Sequence, residues 1–171
     1  MFRFLFCVLS IFLFTGSTPR FEITQTKPKT QSCGTTPQLN KKILAYVTAN
    51  MGKRIGKGEC WDVVAAALNS VGAKWDKKFN FGQPVDYKKD CVFPGDIIQL
   101  NDAMMHDEPV KGVHVYDEYP QHSAIILEVK NTQEYILADQ NYGIGKNKLN
   151  THPIHLKNLA KGTVKVYRPV K

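Results

Sequence analysis

The 171-residue chain has no apolar run long enough to cross a membrane. Its longest apolar run, residues 4–14, is interrupted only by Ser10 and covers about half of the roughly 20 residues that a membrane-spanning helix needs. The run follows the cation Arg3 and precedes small residues at 15–17, which is the pattern of a secretory leader. We therefore predict a signal peptide at 1–17, a secreted or periplasmic protein, and no stable membrane insertion once the leader is removed.

The basic residues are not gathered into dense runs interleaved with aromatic side chains, so we expect no nucleic-acid partner. Without Arg3 the mature chain keeps a net charge of about +7, against +8 for the whole sequence. Outside the cytoplasm such a charge favours anionic envelope polymers, although a general role in solubility explains it equally well. No calcium-type loop of spaced aspartates is present, and we predict no cofactor and no metal. The sequence leaves the oligomeric state open.

Cysteine is scarce, and one of the four cysteines, Cys7, lies in the predicted leader. In an oxidising compartment the remaining odd number leaves one thiol unpaired. A bond between Cys33 and Cys91 would tie the N-terminal extension to the loop before the first strand and would leave Cys60 free. This pairing is a hypothesis, because spacing alone does not fix the connectivity.

Residues 18–39 are rich in Thr, Pro, Lys and Gln and have no hydrophobic period, which predicts a flexible extension ahead of a domain at 40–171. Apolar residues at helical spacing predict one helix over 40–51 and a second that begins at about Cys60. Segments rich in β-branched and aromatic residues predict strands at 95–100, 122–129, 134–142 and 163–169. This order predicts an α+β fold with N-terminal helices packed on an antiparallel sheet.

Cys60 is the candidate nucleophile. A thiolate in the first turn of a helix is stabilised by unsatisfied backbone N–H groups and gains more from a nearby imidazolium. His122 opens the most regular predicted strand, and we prefer it as the partner over His114, which lies in a loop-like segment. The two-residue period of a strand puts Asp139 and Asn141 on one face, where either can orient the histidine. A structural cysteine and a polar turn are the alternative interpretations.

The other histidines give weaker evidence of a functional role. The spacing of His106 and His114 matches no metal-ligand pattern. We therefore expect a solvated loop over 101–121 that could form one wall of a substrate cleft. His152 and His155 are predicted to lie at the surface.

Together these residues resemble the CHAP family of cysteine, histidine-dependent amidohydrolases and peptidases, a papain-like family related to the NlpC enzymes. The matching pieces are GECWD at 58–62, PGDII at 94–98, HSAIILEV at 122–129 and DQNY at 139–142. The resemblance covers residues 40–169 and implies a papain-like fold of the NlpC and CHAP type. It also implies that Cys60 attacks a carbonyl carbon, that His122 transfers the proton, and that Asp139 or Asn141 orients His122.

The resemblance further implies a secreted enzyme that hydrolyses amide bonds of bacterial peptidoglycan through an acyl-enzyme. It would be an N-acetylmuramoyl-L-alanine amidase or a peptidoglycan endopeptidase. One alternative is a catalytically inactive secreted module of the CHAP fold that binds cell-wall glycan or a partner protein. Another is a protease or amidase that acts on proteins or small amides. Glu59 departs from the glutamine common in the family, and we expect its carboxylate to face solvent, since it would raise the thiol pKa if it pointed inward.

Overall fold

The computed structural model describes residues 33–143 and 147–171; the predicted signal peptide and most of the predicted extension lie outside them. The described elements in chain order are α1 (Gln38–Asn50), α2 (Cys60–Ser70), β1 (Gln83–Val85), β2 (Ile97–Val110), β3 (Val113–Asn131), β4 (Glu134–Asp139), β5 (Asn150–His155), a 3₁₀ turn (Leu156–Asn158) and β6 (Leu159–Arg168). Neither of these two α-helices is long and apolar enough to cross a membrane.

The six strands form one antiparallel sheet in the order β1-β6-β2-β3-β4-β5. Strands β2 and β3 have 14 and 19 residues, whereas α1 and α2 have 13 and 11. The expected α+β fold built from N-terminal helices packed on a sheet is therefore wrong. The described part of the chain is dominated by its sheet, and the two helices are short additions to it.

Most of the extra strand lies in residues 101–121, which were expected to form a loop. Here β2 and β3 pair from Asn101 opposite Gln121 to Asp107 opposite Val115, and many of the side chains are exposed. Cross-strand hydrogen bonds stabilise this arm, in which only Ala103, Met105 and Tyr119 are buried. The segment therefore lacks the alternation of apolar and polar residues that marks a half-buried strand.

Each face of the sheet contributes to its own apolar cluster. On one face, buried side chains of α1 and α2 join Ile97, Ile125 and Tyr167. On the other face, Ile98 and Ala124 belong to a second cluster. Because successive side chains of a strand point to opposite faces, residues two apart from Ile125 share the side that carries α2. By this alternation Ser123 lies on the side of α2, whereas His122 lies on the side of Ala124.

A disulfide joins Cys33 to Cys91, which confirms the hypothesised pairing. It ties the segment before α1 to the loop before β2. Among the described residues Cys60 is the free cysteine, and its side chain is partly exposed. The thiol that the sequence singled out is therefore the one available for chemistry.

Candidate active site

Helix α2 begins at Cys60, which confirms the predicted position of the thiol in the first turn. The approach to the helix is fixed by Asp62, whose Oδ2 accepts hydrogen bonds from the backbone N–H groups of Lys57 at 2.8 Å and Glu59 at 3.1 Å. Gly56 has a φ of +55°, and a Cβ there would lie 2.7 Å from Cγ of Asp62. The glycine therefore lets the loop close over this carboxylate and present the thiol.

His122 and Asp139 lie on the neighbouring strands β3 and β4. Nε2 of His122 is 2.9 Å from Oδ2 of Asp139, and both side chains are buried. The imidazole of His122 also lies close enough to Cys60 to lower the pKa of the thiol. Since Nε2 is engaged by the carboxylate, Nδ1 is the ring nitrogen left to interact with the sulfur. The structure thus brings three of the four predicted site residues together.

Asn141, the fourth predicted site residue, lies elsewhere. Strand β4 ends at Asp139, and Asn141 has a φ of +66°, so the alternation assumed from the sequence does not reach it. Its Nδ2 donates to Oε2 of Glu59 at 2.7 Å. Of the two candidates for orienting His122, the structure places Asp139 against the imidazole and Asn141 against Glu59.

Two neighbours stabilise the thiolate form of Cys60. Burial by itself raises the pKa of the thiol, but the imidazole of His122 and the N–H and hydroxyl of Ser123 outweigh burial and lower the pKa. The Ser123 hydroxyl is buried and makes no hydrogen bond of normal geometry with any described residue. Strand β4 pairs with β3 only as far as Ile125, so no strand covers that edge of β3 at Ser123. No sequence pattern indicated this serine, because its role depends on where β4 ends.

The histidine and the aspartate stabilise each other's charged forms. Burial lowers the pKa of His122, but the Asp139 carboxylate and, less strongly, the Cys60 sulfur raise it to about 9. Burial raises the pKa of Asp139, but hydrogen bonds from His122 and His152 outweigh burial and lower it. All three shifts favour the charged forms of these side chains, the thiolate, the imidazolium and the carboxylate, over the neutral forms.

His152 is a site residue that the sequence analysis placed at the surface. Its side chain is only 14% exposed, and its Nε2 lies 2.8 Å from the same Oδ2 of Asp139 that His122 contacts. It pairs with Leu137 across β5 and β4, which puts it on the face of Asp139. Pro153 argued against a strand in the sequence. An edge strand has only one neighbour, however, and tolerates proline.

The donor atoms of His122, Asp139 and His152 all lie within 4.8 Å of one another, which is close enough to hold one metal ion. Two imidazole N–H groups that share one carboxylate oxygen account for the same distances. Hydrogen bonding alone is therefore sufficient to explain why the three side chains converge.

An aromatic wall covers this group of charges. Tyr142 stacks on His152 with ring centroids 4.0 Å apart, and Tyr119 stacks on Tyr142 at 5.2 Å. The ring of His122 lies 5.5 Å from that of Tyr119. Because these rings exclude water, they strengthen the electrostatic interaction between the imidazoles and the Asp139 carboxylate.

Gln140 ties the loop before Cys60 to the strand that carries Asp139. Its Nε2 donates to the carbonyl oxygens of Ile55 at 2.6 Å and Glu59 at 3.0 Å, and its Oε1 accepts from the N–H of Ile55 at 3.1 Å. The side chain is buried. Gln140 thereby fixes the distance between Cys60 and the end of β4.

A thiol in the first turn of a helix, with a histidine and an aspartate on neighbouring antiparallel strands, is the arrangement of a papain-like cysteine-proteinase fold. A family model described as the AIM3/BBC1 cysteine proteinase-fold domain matches residues 35–171, and the chain belongs to that family. The chain is also similar to altered inheritance of mitochondria protein 3 of Debaryomyces hansenii, with 32% identity over 147 residues. The match covers 75% of this chain and 15% of that relative, so the chain corresponds to a small part of it.

These comparisons correct the predicted family and function. They support the papain-like class but not the CHAP family. The predicted peptidoglycan amidase or endopeptidase is wrong, as is the module that binds cell-wall glycan, because the relative comes from a eukaryote and the family is not one of bacterial wall enzymes. The predicted partners, peptidoglycan and anionic envelope polymers, are wrong for the same reason.

Proposed function

We propose that this chain is a papain-like, thiol-dependent protease domain that cleaves an amide bond of a polypeptide through an acyl-enzyme on Cys60. The observation that carries the proposal is the position of His122, which hydrogen-bonds buried Asp139 through Nε2 and lies close enough to Cys60 to lower the pKa of the thiol. A structural cysteine needs neither a paired imidazole nor a lowered pKa. A polypeptide substrate is supported by the cysteine proteinase-fold description of the family.

The proposed reaction uses the three charged side chains in turn. The thiolate of Cys60 attacks the carbonyl carbon and forms the C–S bond, and His122 gives its proton to the amine as the C–N bond breaks. Water then attacks the thioester while His122 accepts a proton from it, and the thiolate leaves as the carboxylic acid is released. Asp139 holds the ring in orientation and stabilises the imidazolium at each stage.

The oxyanion of the tetrahedral intermediate would form at the N-terminus of α2. Cys60 is the first residue of that helix, so its backbone N–H has no acceptor within the helix. This N–H and the positive end of the helix dipole lie beside the sulfur, where negative charge develops on the carbonyl oxygen. We assign the Cys60 N–H as one oxyanion donor.

We also propose that the protein is secreted. The predicted leader at 1–17 supports this location, as does the disulfide between Cys33 and Cys91, since such bonds persist in oxidising compartments. Expression with the native N-terminus in a eukaryotic host tests it. The expected result is medium that contains a chain shortened by about 17 residues, and retention of the uncleaved chain in the cytosol would contradict the proposal.

A peptide vinyl sulfone tests the proposed chemistry, because it forms a stable thioether only with an activated thiolate. We expect mass spectrometry of the native protein to find the adduct on Cys60, and internally quenched peptides to be cleaved. Cys60→Ser, which keeps the size of the side chain, should show neither adduct nor cleavage. Urea-unfolded wild type serves as the control for intrinsic thiol reactivity. Equal labelling of folded and unfolded protein, without peptide cleavage, would overturn the proposal.

A further inference from the structure

A polar floor lies beside the thiol on the face of the sheet that carries α2. Strands β6, β2 and β3 are neighbours, and their register places polar side chains in two rows of three. The first row is Thr163, Asn101 and Gln121, and the second row is Lys165, Gln99 and Ser123. The next row, Tyr167, Ile97 and Ile125, belongs to the apolar cluster of the helices. The polar floor therefore begins where the helix-covered core ends.

This floor adjoins the nucleophile and lines a groove. Ser123, at one end of the second row, faces the sulfur of Cys60. The other five floor residues line a groove of about 650 Å³ whose far wall is the loop that carries Phe79. Trp61, the residue after the nucleophile, donates from its indole N–H to the carbonyl of Lys78 at 2.7 Å and so ties that loop to α2. A chain held at Cys60 would continue directly over the floor.

The chemistry of the floor suits a polar, extended polypeptide. Asn101 and Gln121 each offer a donor and an acceptor, the pair of groups that a peptide unit presents. Gln99 is buried beneath them, and its Oε1 already accepts from the Tyr167 hydroxyl at 3.4 Å. Lys165 is exposed and is the one charged side chain in the two rows. Asp76 on the facing loop already accepts hydrogen bonds from two backbone N–H groups of its own loop, at 2.7 and 3.0 Å. These hydrogen bonds partly satisfy the negative charge of Asp76, whereas the positive charge of Lys165 faces the groove.

We propose that the polar floor is a substrate subsite that binds an extended segment with an aspartate or glutamate side chain against Lys165. The inference rests on the proposed protease function for its place in a reaction, but binding to the floor does not require a working nucleophile. The subsite favours acidic side chains over neutral ones, because Lys165 is the one charged side chain in the two rows and its charge faces the groove.

The test uses a positional-scanning library of internally quenched peptides. We expect peptides with Asp or Glu at one position to be cleaved about three to five times faster than those with Leu there, the effect of one exposed ion pair. Lys165→Gln should remove that preference, and Lys165→Glu should shift it to Lys and Arg. Lys157→Gln, a change of the same kind on the 3₁₀ turn, is the matched control and should behave as wild type.

A binding measurement separates failure of the subsite from failure of the protease function. Fluorescence anisotropy with Cys60→Ala follows a labelled acidic peptide and its neutral analogue. Suppose that no peptide is cleaved, that the acidic peptide binds more tightly than its neutral analogue, and that this difference requires Lys165. The subsite is then supported and the protease function is wrong. If peptides are cleaved with no acidic preference, or if soluble oligosaccharides bind the floor and peptides do not, the subsite is wrong.

Discussion

Replacing Asp139 with asparagine tests how the site holds its charges. The change keeps the shape of the side chain and an oxygen that can accept a hydrogen bond, but removes the negative charge between His122 and His152. A rise in the pKa of His122 from its ordinary 6.5 to about 9, gained against burial, corresponds to about 3 kcal/mol in favour of the imidazolium. The Asp139 carboxylate contributes most to this rise in the pKa of His122. The change to asparagine should therefore remove most of the preference for the imidazolium.

The expected result is a narrower pH range in which thiolate and imidazolium coexist. In wild type, alkylation of Cys60 by iodoacetamide should begin below the ordinary thiol pKa and proteolysis should fall as pH rises through about 9, where His122 loses its proton. In Asp139→Asn the pKa of His122 should fall to its ordinary value or below, and that of Cys60 should rise. Peptide cleavage at neutral pH should drop by about two orders of magnitude, as the lost preference implies.

The same change gives a thermodynamic check with a fixed sign. The raised pKa of His122 means that its ion pair stabilises the folded state fully below pH 6.5 and loses this effect as pH rises through about 9. The free energy of unfolding should therefore differ most between wild type and Asp139→Asn at neutral and mildly acidic pH, and the difference should shrink above pH 9. Urea denaturation at a series of pH values measures it.

Asn141→Ala is the matched control, because Asn141 lies two residues later and contacts Glu59 instead of the imidazole. It should leave the titration of His122, followed by NMR of the ring nitrogens, close to that of wild type. An unchanged His122 pKa in Asp139→Asn, or an equal fall in Asn141→Ala, would refute the assignment of Asp139 as the residue that orients His122.

Three further changes test other parts of the structure. Cys33→Ser with Cys91→Ser should lower the free energy of unfolding by about 4 kcal/mol, the chain-entropy effect of a bond across 58 residues, and urea titration under non-reducing conditions measures it. Gln140→Ala leaves three backbone groups without their partner and should cost about 2–4 kcal/mol, whereas Gln133→Ala on the exposed β3–β4 turn should cost little. Ser123→Ala should raise the pKa of the nucleophile in iodoacetamide profiles and slow cleavage at neutral pH about fivefold, with recovery at higher pH; an unchanged profile would contradict its role.

The parts of this protein that were predictable from sequence are those set by local chemistry. Helix α2 begins at Cys60 because a glycine-rich approach, an acidic residue at its third position and a run of alanines specify a helix start over a few residues. The contact of His122 with Asp139 could be predicted because His122 begins the apolar segment 122–129 and Asp139 ends the next one, although β3 itself extends well before His122. In each case burial or capping requires a recognisable pattern of residue types within a short stretch of sequence.

The parts that were not predictable depend on pairing between distant segments. The arm at 101–121 is held by cross-strand hydrogen bonds over largely exposed side chains, which leave no hydrophobic period. His152 reaches Asp139 only because β5 pairs with β4 at one register, and a slip of one residue would turn its imidazole to the other face. The polar floor likewise needs three strands in register. Such features appear only when the sheet is assembled.

Glu59 is the feature beside the nucleophile that the sequence pattern did not explain. A carboxylate next to a thiol would raise the thiol pKa if the two faced each other. Here Glu59 is exposed, and Asn141 donates to its Oε2 at 2.7 Å. Its backbone carbonyl meanwhile accepts from Gln140, the residue between Asp139 and Asn141. The segment that supplies the orienting carboxylate thus also directs the competing one toward solvent, which is why an acid can stand beside Cys60 while the pKa of the thiol stays low.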